Sequence, residues 1–151
     1  MNNGLAENIF AYNNTVLCAV AGKRSSTLID SHTAERQNNW VVENNIFVAP
    51  KAEPRKLIQD QPGVPRKMIV KANLCINCTA VPGGNFTDRD PGLRYRGDRP
   101  WPFFAPAGTE SFVVDKGVAV GLPYRGRAPD IGAYEFGAEF PFPRVGPNAG
   151  H

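Results

Sequence analysis

Three short stretches of the chain share one pattern of apolar and polar positions. Each has apolar residues at alternate positions, then one or two asparagines, then apolar residues again. The stretches are residues 9–16, 40–47 and 68–75. Alternation with a period of two is typical of a β-strand that buries one face. The pattern therefore predicts short strands, with a bend at the asparagines.

Asparagines anchor this pattern at Asn14, Asn45 and Asn73. Asn45 follows Asn14 by 31 positions, and Asn73 follows Asn45 by 28 positions. Similarity at a nearly constant spacing indicates stacked repeats. Stacked asparagines can hydrogen-bond to each other, and asparagine tolerates the left-handed backbone of a tight bend. Three amphipathic helices are the competing interpretation, which the β-branched residues and paired asparagines disfavour.

Superposing the three stretches sorts their residues into columns. The predicted inward columns are apolar: Ile9, Trp40 and Met68; Ala11, Val42 and Val70; Val16, Phe47 and Cys75. The predicted outward column is Tyr12, Glu43 and Lys71. Between the stretches lie polar or proline-rich insertions, with a possible short helix in residues 23–37 and a loop over 49–67. In repeat proteins, such insertions often form the binding side.

The repeat stops after residue 82, and three short motifs follow. They are residues 90–93 (Asp-Pro-Gly-Leu), 111–117 (Ser-Phe-Val-Val-Asp-Lys-Gly) and 130–137 (Asp-Ile-Gly-Ala-Tyr-Glu-Phe-Gly). This succession resembles the closing motifs of many bacterial right-handed parallel β-helix repeat proteins, of the polysaccharide lyase-like superfamily. The third motif is the most specific match. The second departs from the family pattern, because Phe112 and Val113 stand where Pro-Ala is usual.

The resemblance covers nearly the whole chain and implies its fold. We expect an all-β, right-handed parallel β-helix of about three rungs with an irregular C-terminal closing segment. Rungs and inter-rung insertions would occupy residues 1–82, the closing segment 83–137 and a Pro/Gly-rich tail 138–151. Five residues are expected to have structural roles: Asn14, Asn45, Asn73, Asp130 and Glu135.

The resemblance also implies classes of function. Such proteins include polysaccharide lyases, glycoside hydrolases and non-catalytic surface proteins, so the motif indicates an architecture before an activity. The chain would be the C-terminal portion of a secreted carbohydrate-active protein, most similar to a polysaccharide lyase, that acts on or binds acidic polysaccharide. A non-catalytic surface, adhesion or assembly module is the alternative. An extracellular or cell-surface location follows from the resemblance alone, since residues 1–10 show no signal peptide.

Solenoids usually carry a cap at each end. The closing motif is recognisable here, whereas no cap is visible before the first repeat. We therefore expect upstream rungs or another chain at an open N-terminal end.

Composition narrows the choice of partners. A net charge of +3, from 17 basic and 14 acidic residues, gives no electrostatic case for nucleic-acid binding. No apolar run is long enough to span a membrane. The three cysteines, Cys18, Cys75 and Cys78, are an odd number and predict no disulfide framework. Because Cys75 falls in an apolar column, we interpret it as a buried thiol.

Lyase chemistry needs a positive group that neutralises a carboxylate and a base that removes the adjacent proton. The candidates are Lys71, Arg94 and Arg96 for catalysis and Asp88 and Asp90 for calcium. A solvated run of surface charge is the competing interpretation of residues 88–99. For Lys71, an ion pair with Glu43 in the next rung is preferred. No complete catalytic site is visible, so whether the chain is an enzyme stays open.

Aromatic residues cluster in the closing segment. Tyr95 and Trp101 are candidate platforms for a sugar ring, because carbohydrate sites combine flat apolar surfaces with polar rims. The competing interpretation is that residues 101–104 cover the apolar end of the coil.

Overall fold

A computed structural model of the chain describes residues 6–17, 27–29, 37–49, 51, 55–58, 68–79, 83–95 and 104–138. Every regular element within these ranges is a β-strand. The strands are β1 (Ala6–Glu7), β2 (Phe10–Tyr12), β3 (Thr15–Leu17), β4 (Thr27–Ile29), β5 (Gln37–Asn38), β6 (Trp40–Glu43), β7 (Ile46–Val48), β8 (Arg55–Ile58), β9 (Met68–Lys71), β10 (Leu74–Ile76), β11 (Cys78–Thr79), β12 (Phe86–Thr87), β13 (Leu93–Tyr95) and β14 (Phe104–Pro106). In this described part, no helix is long and apolar enough to cross a membrane.

Three parallel sheets make up most of the described structure. Sheet 1 has the order β2-β6-β9, sheet 2 the order β12-β10-β7-β3, and sheet 3 the order β11-β8-β4. Three segments of the chain, named here repeats 1, 2 and 3, each supply one strand to every sheet. Their strands are β2, β3 and β4; β6, β7 and β8; and β9, β10 and β11. The prediction of an all-β fold with parallel strands is confirmed.

Two further strand pairs complete the described elements. Strands β1 and β5 pair in parallel, and β13 and β14 form an antiparallel pair.

The register of sheets 1 and 2 is the one that the sequence predicts. In sheet 1, Val42 pairs with Ala11 on one side and with Val70 on the other. Sheet 2 places Phe47 between Val16 and Cys75 in the same way. Residues of one predicted column therefore stack on each other in neighbouring strands.

Sheet 3 lies in the parts of the chain that the sequence presents as insertions. Residues 27–29 form strand β4, so the prediction of a helix is wrong for this part of residues 23–37. Strand β8 similarly lies inside the predicted loop, and its Leu57 is completely buried. These strands lie in polar or proline-rich stretches and lack the asparagine between apolar positions that marks the other strands, so the repeat pattern does not reveal them.

The interior between the three sheets is apolar. Its cluster consists of the buried residues Val42, Phe47, Ala49, Leu57, Cys75 and Cys78, with Ala11, Met68 and Val70 packed against them. Each sheet contributes side chains from its inward columns. Burial of this apolar surface is the main force that holds the three sheets together.

A ladder of four asparagines marks the bend between sheets 1 and 2. The Nδ2 of Asn14 donates to Oδ1 of Asn45 at 2.9 Å, Asn45 donates likewise to Asn73 at 2.9 Å, and Asn73 donates to Asn85 at 2.9 Å. The backbone N–H of each of these three donors also binds the same Oδ1 as its own side chain, at 3.0 to 3.1 Å. The sequence predicts three members, and Asn85 is a fourth that it misses.

Asn85 was missed because its spacing breaks the period. It follows Asn73 by only 12 positions, whereas the earlier spacings are 31 and 28. Only a few residues of sequence separate β11 from Asn85, whereas longer stretches of sequence separate β4 from Asn45 and β8 from Asn73.

The residue that precedes each ladder asparagine adopts a left-handed backbone. The φ angles are 50° at Asn13, 58° at Asn44 and 52° at Ala72. Asparagine tolerates this region better than most residues, whereas alanine is strained there. Further left-handed residues occupy other bends: Asn8, Asn39, Asn77 and Asp88. The bends therefore explain why asparagine is so frequent in the first half of the chain.

A disulfide joins Cys75 and Cys78, whose Cα atoms lie 5.4 Å apart. The interpretation of Cys75 as a buried free thiol, and the prediction of no disulfide, are therefore wrong. Cys75 lies in β10 of sheet 2 and Cys78 in β11 of sheet 3, so the bond spans the bend between these two sheets. A count of cysteines could not reveal this proximity, because it depends on the bend at Asn77. Cys18 lies outside the described residues.

The closing segment packs on the outer face of sheet 2. Val113 and Ile131 are almost fully buried against Ile46 and Leu74. Phe112 contacts Phe86 edge-on, with ring centroids 5.2 Å apart. The closing segment therefore covers Ile46 and Leu74 on the outer face of sheet 2, whereas Leu17 at the edge of this face stays exposed. That this segment also caps the end of the coil stays a prediction.

Candidate functional site: the outer face of sheet 1

The outer face of sheet 1 carries two columns of side chains that point away from the interior cluster. One column consists of Phe10, Val41 and Ile69, and the other of Tyr12, Glu43 and Lys71. Phe10 is 59% exposed and Ile69 is 50% exposed, which are high fractions for large apolar side chains. In sheet 2, the outward residues Ile46 and Leu74 are buried under the closing segment, so the two outer faces differ.

The aromatic rings of Phe10 and Tyr12 lie side by side at one edge of this face. Their centroids are 5.9 Å apart and their planes make an angle of 38°. Both side chains project from the same strand, because residues two apart share a face. The predicted outward column contains Tyr12 but not Phe10. The alternation nevertheless indicates that Phe10 shares this face, since position 10 is two residues from Tyr12.

An ion pair crosses from β6 to β9 on this face. The Nζ of Lys71 lies 3.4 Å from Oε1 of Glu43, as the preferred interpretation of Lys71 predicts. The Glu43 side chain is only 9% exposed, whereas that of Lys71 is 47% exposed. The lysine therefore covers a largely buried carboxylate while its own ammonium group borders solvent. This structural role accounts for Lys71 without catalysis.

The remaining candidate side chains for binding and catalysis do not gather into one described site. Arg94 is exposed on β13, and Tyr95 follows it in the same strand. Arg96 and Trp101 lie outside the described residues, as does the rest of the charge run up to residue 99.

The two candidate calcium ligands bind backbone instead. The Oδ1 of Asp88 accepts a hydrogen bond from the N–H of Asn77 at 2.8 Å, and Asp88 itself is a left-handed bend residue. The Oδ1 of Asp90 accepts from the N–H of Gly92 at 2.9 Å, which fixes a local turn. Across the described ranges, no group of three or more His, Cys, Asp and Glu side chains is placed to hold a metal ion.

Hydrogen bonds join the first two closing motifs. The hydroxyl of Ser111 donates to the carbonyl of Gly92 at 2.8 Å and accepts from the N–H of Ala107 at 3.1 Å. A Cβ on Gly92 would lie 2.9 Å from the Ser111 oxygen, and its φ is 64°. Glycine is therefore required at position 92 for the close approach of the two motifs.

Carboxylates join the second motif to the third. Asp130 accepts from the N–H of Asp115 at 2.8 Å and from that of Phe136 at 2.6 Å. Glu135 in turn accepts from the N–H of Asp130 at 3.1 Å and from that of Arg125 at 3.3 Å. These carboxylates hold backbone donors in turns that have no strand partner.

The pKa values of this network diverge. Burial raises the pKa of Asp130 and of Glu135 above their ordinary values, against the opposing effect of the backbone donors. Hydrogen bonds from the backbone of Ala128 and Arg127 lower the pKa of Asp115. All three groups accept hydrogen bonds from backbone donors of the closing segment. The shifts reflect folding contacts as much as chemistry.

The closing segment is tied to repeats 1 and 2 by a second set of contacts. The side-chain amide of Asn44 exchanges two hydrogen bonds, each 2.7 Å, with the backbone of Val118. The N–H of Gly132 donates to the carbonyl of Asn44 at 2.7 Å, and that of Ala133 donates to Oγ1 of Thr15 at 3.2 Å. The third motif therefore braces neighbouring strands of sheet 2 from outside.

Comparison with protein-family models, with curated proteins and with solved structures finds no match to this chain.

Proposed function

We propose that the chain is part of a right-handed parallel β-helix of the polysaccharide lyase-like superfamily. Three sheets of parallel strands, one strand per sheet from each repeat, support the proposal, as does the asparagine ladder between two of them. In this arrangement each repeat is one coil, and the closing segment braces the coils from the side.

The proposed function is the binding of acidic polysaccharide on the outer face of sheet 1. A single observation carries it: exposed Phe10 and half-buried Tyr12 lie on the same row of parallel strands as the Lys71–Glu43 pair. Aromatic rings offer the apolar face of a sugar a flat surface, and an exposed ammonium group attracts a carboxylate. A row of short parallel strands presents these groups on an extended, nearly flat surface, which suits a linear polymer.

Binding to polygalacturonate, alginate and chondroitin sulfate would test this function by affinity electrophoresis and calorimetry. We expect Phe10→Ala and Tyr12→Ala each to weaken binding about fivefold, because one aromatic contact is worth about 1 kcal/mol. Tyr124→Ala is the matched control, since Tyr124 is 45% exposed but lies in the closing segment. Equal affinities for all three variants would contradict the proposal.

The charge contribution needs a double variant. Removing Lys71 alone would leave the buried Glu43 carboxylate without its partner and would lower stability. The variant Lys71→Gln with Glu43→Gln removes both charges together. We expect it to fold and to lose the preference for acidic over neutral polysaccharide, and a preference that persists would assign acid recognition to other residues.

Cleavage is a further expectation, and it comes from the resemblance. A lyase product has a double bond conjugated to its carboxylate and therefore absorbs ultraviolet light. Incubation of the chain with each polymer, with and without added calcium, would detect that product. Binding without product would identify this chain as a non-catalytic module. Any catalytic residues would then lie in other coils of the β-helix.

The Cys75–Cys78 disulfide supports an extracellular or cell-surface location. Structural disulfides persist in oxidising compartments and are rare in the cytosol. Mass spectrometry of the purified chain after thiol blocking would show one free cysteine, Cys18, if this pairing forms. Three blocked thiols would remove this support.

An assembly module is the second candidate function. The observation that favours it is a set of exposed apolar residues in repeat 1: Ile9 just before β2, and Val16 and Leu17 in β3 at the edge of sheet 2.

A further inference from the structure

Repeat 1 forms the same edge of all three parallel sheets. Among the described residues, strands β2, β3 and β4 are the outermost strands of sheets 1, 2 and 3 on this side, and each pairs only with a strand of repeat 2. Val16 is 38% exposed, whereas its column neighbours Phe47 and Cys75 are 4% and 0% exposed. An inward-pointing residue is thus exposed only because no further strand covers it among the described residues.

The asparagine ladder shows which hydrogen bonds are not made at this edge within the described residues. Asn45 and Asn73 each accept hydrogen bonds at Oδ1 from the preceding asparagine, and each donates to a carbonyl of the preceding repeat. Asn14 donates onward to Asn45 in the same way. Within the described residues, however, its own Oδ1 accepts no hydrogen bond, and its Nδ2 finds no carbonyl in a preceding strand. The ladder is directional, and its first member lacks the contacts on one side.

We propose that this edge binds a β-coil segment that carries an asparagine in register with Asn14. The inference deepens the assembly candidate and does not depend on polysaccharide binding. The bound segment is a strand–asparagine–strand unit with the pattern of residues 40–48, and it runs parallel to repeat 1. Its asparagine N–H and side-chain amide donate to Oδ1 of Asn14, and its apolar residues cover Ile9 and Val16.

The direction of the ladder also excludes a simple two-fold dimer through this edge. Two copies related in that way would place the Oδ1 atoms of two Asn14 residues against each other. Both atoms are acceptors, so neither would be satisfied. A partner that continues the ladder offers donors instead, as asparagine does between the other repeats. This complementarity selects a coil of the same pattern in the same direction.

A labelled peptide tests the proposal on the intact chain. The probe is a fluorescent peptide of residues 40–48, and the matched control replaces its asparagine at position 45 by alanine. We expect fluorescence anisotropy to show binding of the first and about fivefold weaker binding of the second, since the side-chain hydrogen bond to Asn14 is lost while the backbone N–H remains. The substitution is confined to the peptide, so folding of the chain is not perturbed.

Cross-linking tests the register independently. Leu17 pairs with Val48 in the existing sheet, so a coil added before repeat 1 should place its own position 48 beside Leu17. In a Cys18→Ser background, Leu17→Cys should form a disulfide with a peptide that has cysteine at position 48 several times faster than with one that has it at position 46. Neighbouring strands hold the two Cα atoms at a distance that a disulfide bridges.

Three outcomes would overturn the proposal: no binding of the native peptide, equal binding of the alanine peptide, or equal cross-linking at both positions. None of these results bears on the polysaccharide site, which is measured through Phe10 and Tyr12. Loss of polysaccharide binding would likewise leave the peptide result unchanged.

Discussion

The asparagine ladder allows a direct test, because its members are chemically alike but differ in burial. Asn45 is completely buried. Its Oδ1 accepts from the backbone and side chain of Asn14, and its Nδ2 donates to Ala11, to Glu43 and to Asn73. Asn14, by contrast, is exposed and donates to Asn45 and to the carbonyl of Tyr12. Replacing each by alanine therefore removes similar groups from different surroundings.

The expected loss in the free energy of unfolding depends on the hydrogen-bond partners that each substitution leaves unsatisfied. In Asn45→Ala, the carbonyl of Ala11 and the N–H of Asn14 lose their partners beside the buried bend, and a small cavity forms. Each buried polar group that is left unsatisfied costs about 1–3 kcal/mol, so we expect a total loss of about 3–4 kcal/mol in the free energy of unfolding. Water can replace the lost partners of Asn14→Ala, which should cost about 1 kcal/mol or less.

Urea unfolding followed by circular dichroism would measure both variants, with equal slopes as the check that the two-state treatment holds. The pH dependence of the stability of the variant Asn45→Asp provides a second test. This variant keeps the acceptor for Asn14 but places a carboxylate oxygen against the carbonyl of Ala11 and the Oδ1 of Asn73. It should therefore be unstable at neutral pH and recover stability as the pH falls and the carboxyl is protonated. Equal costs for the two alanine variants, or no recovery by the aspartate variant, would refute the reasoning.

Three further predictions concern the bends and the closing segment. Ala72→Gly should raise the free energy of unfolding by about 0.5–1 kcal/mol, because Ala72 is held at a φ of 52°. Ala49 has an ordinary backbone angle, so Ala49→Gly should instead lower the free energy of unfolding by about 1 kcal/mol. The two changes must have opposite signs in thermal or urea unfolding. Gly132→Ala should destabilise by about 2 kcal/mol or more, since the new Cβ would lie 2.7 Å from Cδ1 of Ile46 at a φ of 108°, and an unchanged melting temperature would contradict this. Burial raises the pKa of Asp130 above its ordinary value of 3.8, so the folded chain binds this proton more readily than the unfolded chain; its stabilising contribution is complete below pH 3.8 and is lost as the pH rises through the folded pKa. Relative to Asp130→Asn, the wild type should therefore lose stability as the pH rises from about 4 to 7 in a urea series, and parallel curves would show that Asp130 does not titrate in this way.

The sequence by itself determined how the three repeats pair in sheets 1 and 2. Alternating apolar residues define an inward face, and a slip of one residue would turn that face towards solvent. The asparagines fix the position of each bend, because their side chains bond across neighbouring repeats. The stacking of Ala11, Val42 and Val70, and that of Asn14 on Asn45, could therefore be predicted before any coordinates.

Tertiary structure alone decided the third sheet, the fourth ladder member and the disulfide. Strands β4 and β11 lie outside the apolar–asparagine–apolar pattern of the three repeats, so that pattern does not mark them. Asn85 follows Asn73 at an unexpected spacing because the length of the connecting turns varies. Cys75 and Cys78 come together only because the chain bends between two sheets.

For the candidate site too, the sequence determined some features and tertiary structure determined others. The sequence placed Tyr12, Glu43 and Lys71 in one outward column, and the ion pair follows from that column. It could not show that the outer face of sheet 1 is exposed while that of sheet 2 is covered. That difference depends on contacts such as Asn44 with Val118 and Ala133 with Thr15, which join residues 74 and 118 positions apart. Local patterns determine which strands pair, whereas only packing between distant segments decides which face remains open to a ligand.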